Sequence, residues 1–416
     1  MSVSHEQLEK YAKLAIQTGV NLQKGQGLIV NTSVEAAAFA RMVVKEAYAA
    51  GAKNVHLEWN DDEIKYLKMK HASMDVLENF PKWKAQGLEE MVKDGYALLN
   101  IYGENPDLLQ DIDQARISAV TKASGQALKE YRDYIMNDKI CWSIVGYPAE
   151  AWAKKVFPNL SAEVAKEKLW EHIFRIARVG QDDPVKAWEK HNDALKQARE
   201  FLNKKQYQSL VYQAEGTDLT IDLPDNHIWH GGAATSTSGV KFNPNIPTEE
   251  VFTMPHKYGV HGTVTSTKPL SYGGNLIENF TLTFKDGKVV EFTAEKGEEA
   301  LKNMLETDED GAKRLGEVAL VPHDSPISKS NIIFYNTLFD ENASCHLALG
   351  KAYPTNIEHG PSMSKEEMDQ HGVNDSLIHE DFMIGSAQLS IDGITKDGKK
   401  EAIFRNGNWA ITFASL

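Results

Sequence analysis

Two rhythms of apolar and polar positions alternate along the first half of this chain. QGLIVNTS is a short apolar run suited to a buried strand, EAAAFARMVVKEAYAAG follows with helical spacing and ends at Gly51, and KNVHLEW reads as a second strand. YALLNIYG and KICWSIVGYP repeat the strand pattern on either side of a helical segment around Gln114 to Tyr134. Strands that are apolar throughout and joined through helices predict a largely parallel sheet with covering helices. From Ser161 to Lys204 the chain reads as helical, with Leu169, Ile173, Phe174 and Ile176 supplying an apolar stripe.

The pattern then changes character. SLVYQA and TDLTIDLP alternate as half-buried strands, and the Gly/Ser/Thr-rich run HGGAATSTSG after them suggests a boundary between a domain of residues 1–230 and one of residues 231–416. Beyond it, VHGTVTSTKPLSYGG, ENFTLTFKDGKVVEFTAE and AIFRNGNWAITFA are rich in β-branched residues, with hairpin signals at Asp286-Gly287 and Asn406-Gly407. One helix, roughly Gly297 to Thr307, interrupts them. The expected fold is an α/β N-terminal domain with a mainly parallel sheet, followed by an α+β C-terminal domain with a mainly antiparallel sheet.

Length and composition agree with that division. A chain of 416 residues exceeds the size at which one hydrophobic core keeps growing. A net charge of −14 argues against a nucleic-acid partner. The opening MSVSHEQLEKYAKLAIQTG reads as an amphipathic helix rather than a signal peptide, and no stretch approaches the length of a membrane span. Cys141 and Cys345 stand far apart, so no disulfide framework is expected and a cytoplasmic location fits.

Chemistry concentrates in the second half. NTLFDENASCHLALGKAY places Asp340, Glu341, His346 and Tyr353 in a segment otherwise suited to burial; Glu249 and Glu250 lie in NIPTEEVFTMPH, Glu317 in LGEVALVP, and His379 and Asp381 in HEDFMIGS. Buried unpaired carboxylates are costly, whereas carboxylates and imidazoles together suit divalent ions. Glu250, Glu317, Glu341 and Asp381 would balance two such ions, with His346 and His379 as neutral donors. Taken singly, each piece is weak: a Glu-Glu pair is ordinarily solvated, and a lone acid in a strand ordinarily faces water. In an extended segment His379 and Asp381 share a face and Glu380 points away. Glu341 and His346 require a turn between them, and a helix from His346 to the residue before Pro354 would align His346 with Tyr353. No GxSxG elbow, P-loop, HExxH or CxxC motif is present, and adjacent Cys345 and His346 do not face each other.

NIPTEEVFT, GEVALV, NTLFDENASCHLALGKAY and HEDFMIGS, in this order, resemble the aminopeptidase T and aminopeptidase S family of dinuclear metallo-aminopeptidases, over essentially the whole chain. The resemblance implies metal ligands at Glu250, Glu317, Glu341, His346, His379 and Asp381, selects Glu250 over Glu249, gives Glu317 the bridging position and makes Tyr353 an active-site residue. It further implies zinc or cobalt as activating ions, with manganese or magnesium compatible with the donors, broad specificity for peptides with a free N-terminus, a cytoplasmic location and a homodimer. In the mechanism expected, water activated by two ions attacks the scissile carbonyl, Tyr353 stabilises the oxyanion and Glu249 carries the proton to the leaving amine. Two other readings compete: a dinuclear hydrolase of phosphoesters, which a nearby Arg or Lys would favour, and an inactive metal- or peptide-binding protein, which a lost ligand would favour.

Overall fold

The computed structural model describes residues 3–272 and 275–413. The chain forms two compact units: Met1–Lys190 with Ala233–Pro247 and Ile333–Leu338, and His191–Gly232 with Thr248–Ile332 and Phe339–Leu416.

In the first unit the apolar runs form a parallel sheet in the order Asn54–Asn60, Gly27–Ser33, Ala97–Tyr102, Trp142–Gly146, Asn245–Ile246. The central strands are buried at Leu28, Ile29, Val30, Leu98 and Leu99, which is why they lack polar alternation. The opening helix, His5–Leu14, starts with a capping box between Ser4 and Gln7 and inserts Tyr11 among Phe39, Trp170 and Phe174. The helical stretch expected from Ser161 to Lys204 is two helices, Ala162–Ile176 and Pro184–Lys205. Its break contains Arg178 at φ 61°, a conformation that ends a helix, and Pro184 then starts the next.

The second unit is built on two antiparallel sheets. The larger runs Leu270–Tyr272, Asn275–Lys285, Val260–Thr265, Thr217–Asp222, Ser209–Ala214, Ser390–Ile394, Lys400–Arg405, Asn408–Trp409, with Lys288–Lys296 also paired to Asn275–Lys285. Both hairpin signals are realised, and Asp286, Gly287, Asn406 and Gly407 all have positive φ, as a two-residue turn of the type that matches strand twist requires. The helix expected near Gly297 spans Glu298–Leu305.

The smaller sheet has four strands in the order Val251–Thr253, Leu315–Leu320, His346–Gly350, His379–Met383. One of its faces supplies Val251, Leu315, Val318, Leu320, Leu347, Leu349 and Phe382 to a single apolar core shared with Leu210, Tyr212, Leu219, Ile221, Val260, Phe280 and Leu282 of the larger sheet. Full burial of each such side chain contributes about 1.5–3 kcal/mol, so this face anchors the sheet rigidly.

Candidate metal centre

The other face of the four-stranded sheet carries the chemistry. Directly opposed residues in an antiparallel ladder point to the same side. Glu317 pairs with Ala348, and Ala348 pairs with Asp381, forming one row. Ala319, His346 and Met383 form the next. Period two then brings His379 to the side of Asp381, as expected from the sequence. Phe252 pairs with Ala319, so Glu250, two residues earlier, emerges on the same side. Four donor residues therefore stand on hydrogen-bonded strands, with only Ala319 and Ala348 between them, and small side chains leave space above the sheet.

One irregularity makes this arrangement possible. Leu315 pairs with Leu349 on the core face, and Glu317, two residues on, would join it there in a regular ladder. The register shifts between them, leaving Gly316 as an extra residue, and Glu317 crosses to the site face. A Cβ on Gly316 would lie 2.4 Å from the Gly350 carbonyl oxygen and 2.5 Å from that of Lys351, so only glycine fits the bulge.

The structure corrects one expectation. His346–Gly350 is a strand, not the start of a helix reaching Tyr353. HLALG fits period two as well as a helical repeat, and hydrogen-bonding neighbours on both sides decide for the strand. The turn required between Glu341 and His346 is present: a 3₁₀ turn over Glu341–Ala343, then extended backbone at Ser344. Tyr353 reaches the site by another route, its ring centroid 4.9 Å from that of His379 and 6.2 Å from that of Phe252, with 37% of the residue exposed.

Distances define two groups of donors. Glu250, Glu317 and His346 place one donor atom each within 4.8 Å of one another, and so do Glu317, His379 and Asp381. Glu317 belongs to both. His346 Nε2 lies 3.2 Å from Glu250 and 3.5 Å from Glu317, and His379 Nε2 lies 3.6 Å from both Glu317 and Asp381. The Nδ1 atoms point the opposite way: Nδ1–H of His346 donates to the Ser344 carbonyl at 3.1 Å, and that of His379 to the Lys351 carbonyl at 2.7 Å. A neutral imidazole held this way would offer its Nε2 lone pair to a cation, the arrangement of a metal-binding histidine with a carbonyl partner behind it, whereas in the metal-free protein the Nε2–H of His346 donates to the carboxylates.

The electrostatics have the same sense. Burial, followed by the neighbouring Asp381 and Glu250, pushes the Glu317 carboxyl up to about 7 despite the hydrogen bond from His346. Burial, with Glu250 and Asp381 next in weight, raises that of Glu341 well above the carboxylate range. Burial alone would lower His346, but hydrogen bonds to Glu250 and Glu317 outweigh it and hold the imidazole well above its ordinary value. Burial and the surrounding carboxylates raise the Tyr353 phenol, which keeps its proton at neutral pH. Among the described residues no lysine or arginine pairs with Glu250, Glu317, Glu341 or Asp381, and the buried Asp381 Oδ1 has no hydrogen-bond donor. Four acids gathered without a lysine or arginine, around the Nε2 atoms of His346 and His379, fit divalent cations as the missing counter-charge.

Glu249 occupies a different environment from Glu250. It is buried, and its Oε2 lies 3.6 Å from His191 Nε2, which is also 2.7 Å from the Thr248 carbonyl oxygen. His191 was not singled out in the sequence, where a histidine on a charged helix carries no signal. Gly316 and Ala348 carry no chemical signal in the sequence, although the break in alternation through LGEVAL marks the bulge.

Residues 4–409 match the family described as thermophilic metalloprotease (M29). The chain is 61% identical to "Aminopeptidase 2" of Geobacillus stearothermophilus over 98% of this chain and 99% of that protein. It is 41% identical to "Aminopeptidase T" of Thermus thermophilus over 99% and 100%, respectively. The solved structure of wild-type AmpT from Thermus thermophilus superimposes with a TM-score of 0.91 at 40% identity, covering 97% of this chain and 99% of that one.

Proposed function

The chain belongs to the thermophilic metalloprotease (M29) family and is a metal-dependent aminopeptidase; from that premise we propose that Glu250, Glu317, Glu341, His346, His379 and Asp381 hold two divalent ions, with Glu317 shared between them. The observation carrying this reading is the pair of three-donor groups with Glu317 in common, which takes in five of the six residues; Glu341 lies in neither group and is included on the family likeness and its buried place beside them. A divalent pair bound there supplies Lewis acidity toward a carbonyl and brings the pKa of water toward about 7.

The side chains divide the remaining work. Tyr353, protonated at neutral pH and partly exposed beside His379, donates its O–H to the carbonyl oxygen of the scissile bond as negative charge develops there. Glu249, adjacent to a ligand and steadied by His191, carries the proton to the departing amine. The substrate's free α-amine is held by a metal or a carboxylate, which accounts for exopeptidase action, and the family likeness supports broad tolerance for the side chain beyond it. Mixed imidazole and carboxylate donors suit zinc or cobalt, and accept manganese or magnesium. The family likeness supports a homodimer, and two buried free cysteines are compatible with the cytoplasm.

Phosphoester hydrolysis finds no comparable support. Lys351, the basic residue nearest in sequence to the central motif, is exposed and contributes its main-chain carbonyl to His379. The test is hydrolysis of an unblocked leucyl peptide against its N-acetylated twin, by protein stripped with chelator and restored with zinc, cobalt or manganese. Cleavage of the free peptide alone, with activity saturating at two equivalents of metal, supports the proposal. Saturation at one equivalent, or cleavage of the acetylated peptide, overturns it.

A further inference from the structure

We propose that Asn342 is a positioning residue that ties together the two ligand-bearing segments lying outside the sheet. The inference rests on the dinuclear reading of the site. Glu317, His346, His379 and Asp381 stand on strands, where ladder hydrogen bonds fix their direction. Glu250 and Glu341 do not. The ladder of the first strand begins at Val251, just after Glu250, and Glu341 sits in a short 3₁₀ turn.

A single carboxamide joins these two segments. Its oxygen accepts the Glu249 main-chain N–H at 2.7 Å, and its nitrogen donates to Glu341 Oε1 at 3.3 Å. The side chain is fully buried, and the main-chain carbonyl of Asn342 accepts from Ser325 Oγ at 3.4 Å. Chemistry fixes which end of the amide points where, because an N–H needs the oxygen and a carboxylate needs the NH₂ group. No other side chain of this size both accepts and donates with this geometry. Aspartate keeps the first bond and replaces the second with repulsion, and serine reaches neither partner.

The linked segments belong to one side of the centre. Glu250 groups with Glu317 and His346, and Asn342 bonds both to the Glu249 N–H beside it and to Glu341. Loosening Asn342 therefore weakens one of two ions, whereas the site formed by Glu317, His379 and Asp381 stays on its ladder. Loss of a group that orients metal ligands typically lowers affinity about 10–100-fold.

The experiment is cobalt titration of chelator-stripped full-length protein, followed by visible absorption, for wild type, Asn342→Asp and Asn342→Ser. The expected result is that one equivalent binds as in wild type and the second about 10–100-fold more weakly, with kcat restored at high cobalt and KM little changed. Asn342→Ser covers the case in which the buried charge of Asn342→Asp prevents folding. Two equivalents bound with wild-type affinity in a folded variant would overturn the inference, as would equal weakening of both. Wild type that takes up two cobalt ions without cleaving the leucyl peptide would count against the aminopeptidase reading instead, and leave the split in affinity to be read on its own.

Discussion

Glu317→Gln should have opposite effects on catalysis and on the stability of the metal-free protein. Glu317 is 5% exposed and its carboxyl is pushed up to about 7. A carboxyl raised from its ordinary value of about 4.5 to about 7 binds a proton more tightly in the folded than in the unfolded state. Folding stability therefore falls as pH rises between those values, and above the upper one the ionised group weakens the metal-free fold by about 3 kcal/mol. Glutamine keeps an acceptor for His346 and removes the charge. Allowing for a weaker hydrogen bond to His346, the metal-free variant should gain about 1–3 kcal/mol at pH 8.5, or about 3–8 °C in melting temperature. Near pH 5 the gain should vanish. With metal restored, the order reverses: the shared ligand is gone, and kcat/KM should fall about 10³-fold or more. Melting of chelator-treated wild type and variant at both pH values, with leucyl-peptide hydrolysis after metal addition, reads both effects. Metal-free Glu317→Gln that melts below wild type at pH 8.5 would refute the claim that clustered charge, relieved by cations, dominates this site.

Three further outcomes follow from the same geometry. Tyr353→Phe should lose about 10²–10³-fold in kcat while binding two metal equivalents normally, as expected for an oxyanion donor that is not a ligand; metal analysis beside steady-state kinetics checks this. Ala348→Val, placed between Glu317 and Asp381, should destabilise the fold by about 1–3 kcal/mol and deplete metal by filling the space above the sheet, as read by denaturation and elemental analysis. Far from the site, Glu401 is held at about 2, below the carboxylate range, first by Lys205 at 2.5 Å and then by Lys399. A depressed carboxyl contributes stability above about pH 4.5 that is lost as pH falls toward 2, so Glu401→Gln should destabilise by about 1 kcal/mol at pH 7 and flatten the acid limb of the stability curve.

Much of this architecture was legible in the residues because it obeys local rules. The parallel strands are apolar on both faces, the two hairpins carry Asp-Gly and Asn-Gly, and His379-x-Asp381 follows strand periodicity. What escaped depends on partners distant in sequence. HLALG supports a helix or a strand equally until its neighbours are known. Nothing in the sequence shows what Asn342 binds, and only the folded chain reveals the Glu249 N–H and the Glu341 carboxylate on either side of it. The Glu317 face could be misassigned for a related reason: strict alternation places it with Leu315, in the core.

That bulge sets a limit on engineering. A designer seeking a regular ladder would replace Gly316 with a strand-forming residue paired in register, and routine sheet-quality criteria would approve. The edit would rotate Glu317 toward the oily side of the sheet, or else drive Leu315 off it, since one uninterrupted strand cannot serve both. A ladder that keeps a paired residue at this position is incompatible with activity, and a side chain at Gly316 should be tolerated far less than substitutions of the aliphatic members of LGEVAL by one another.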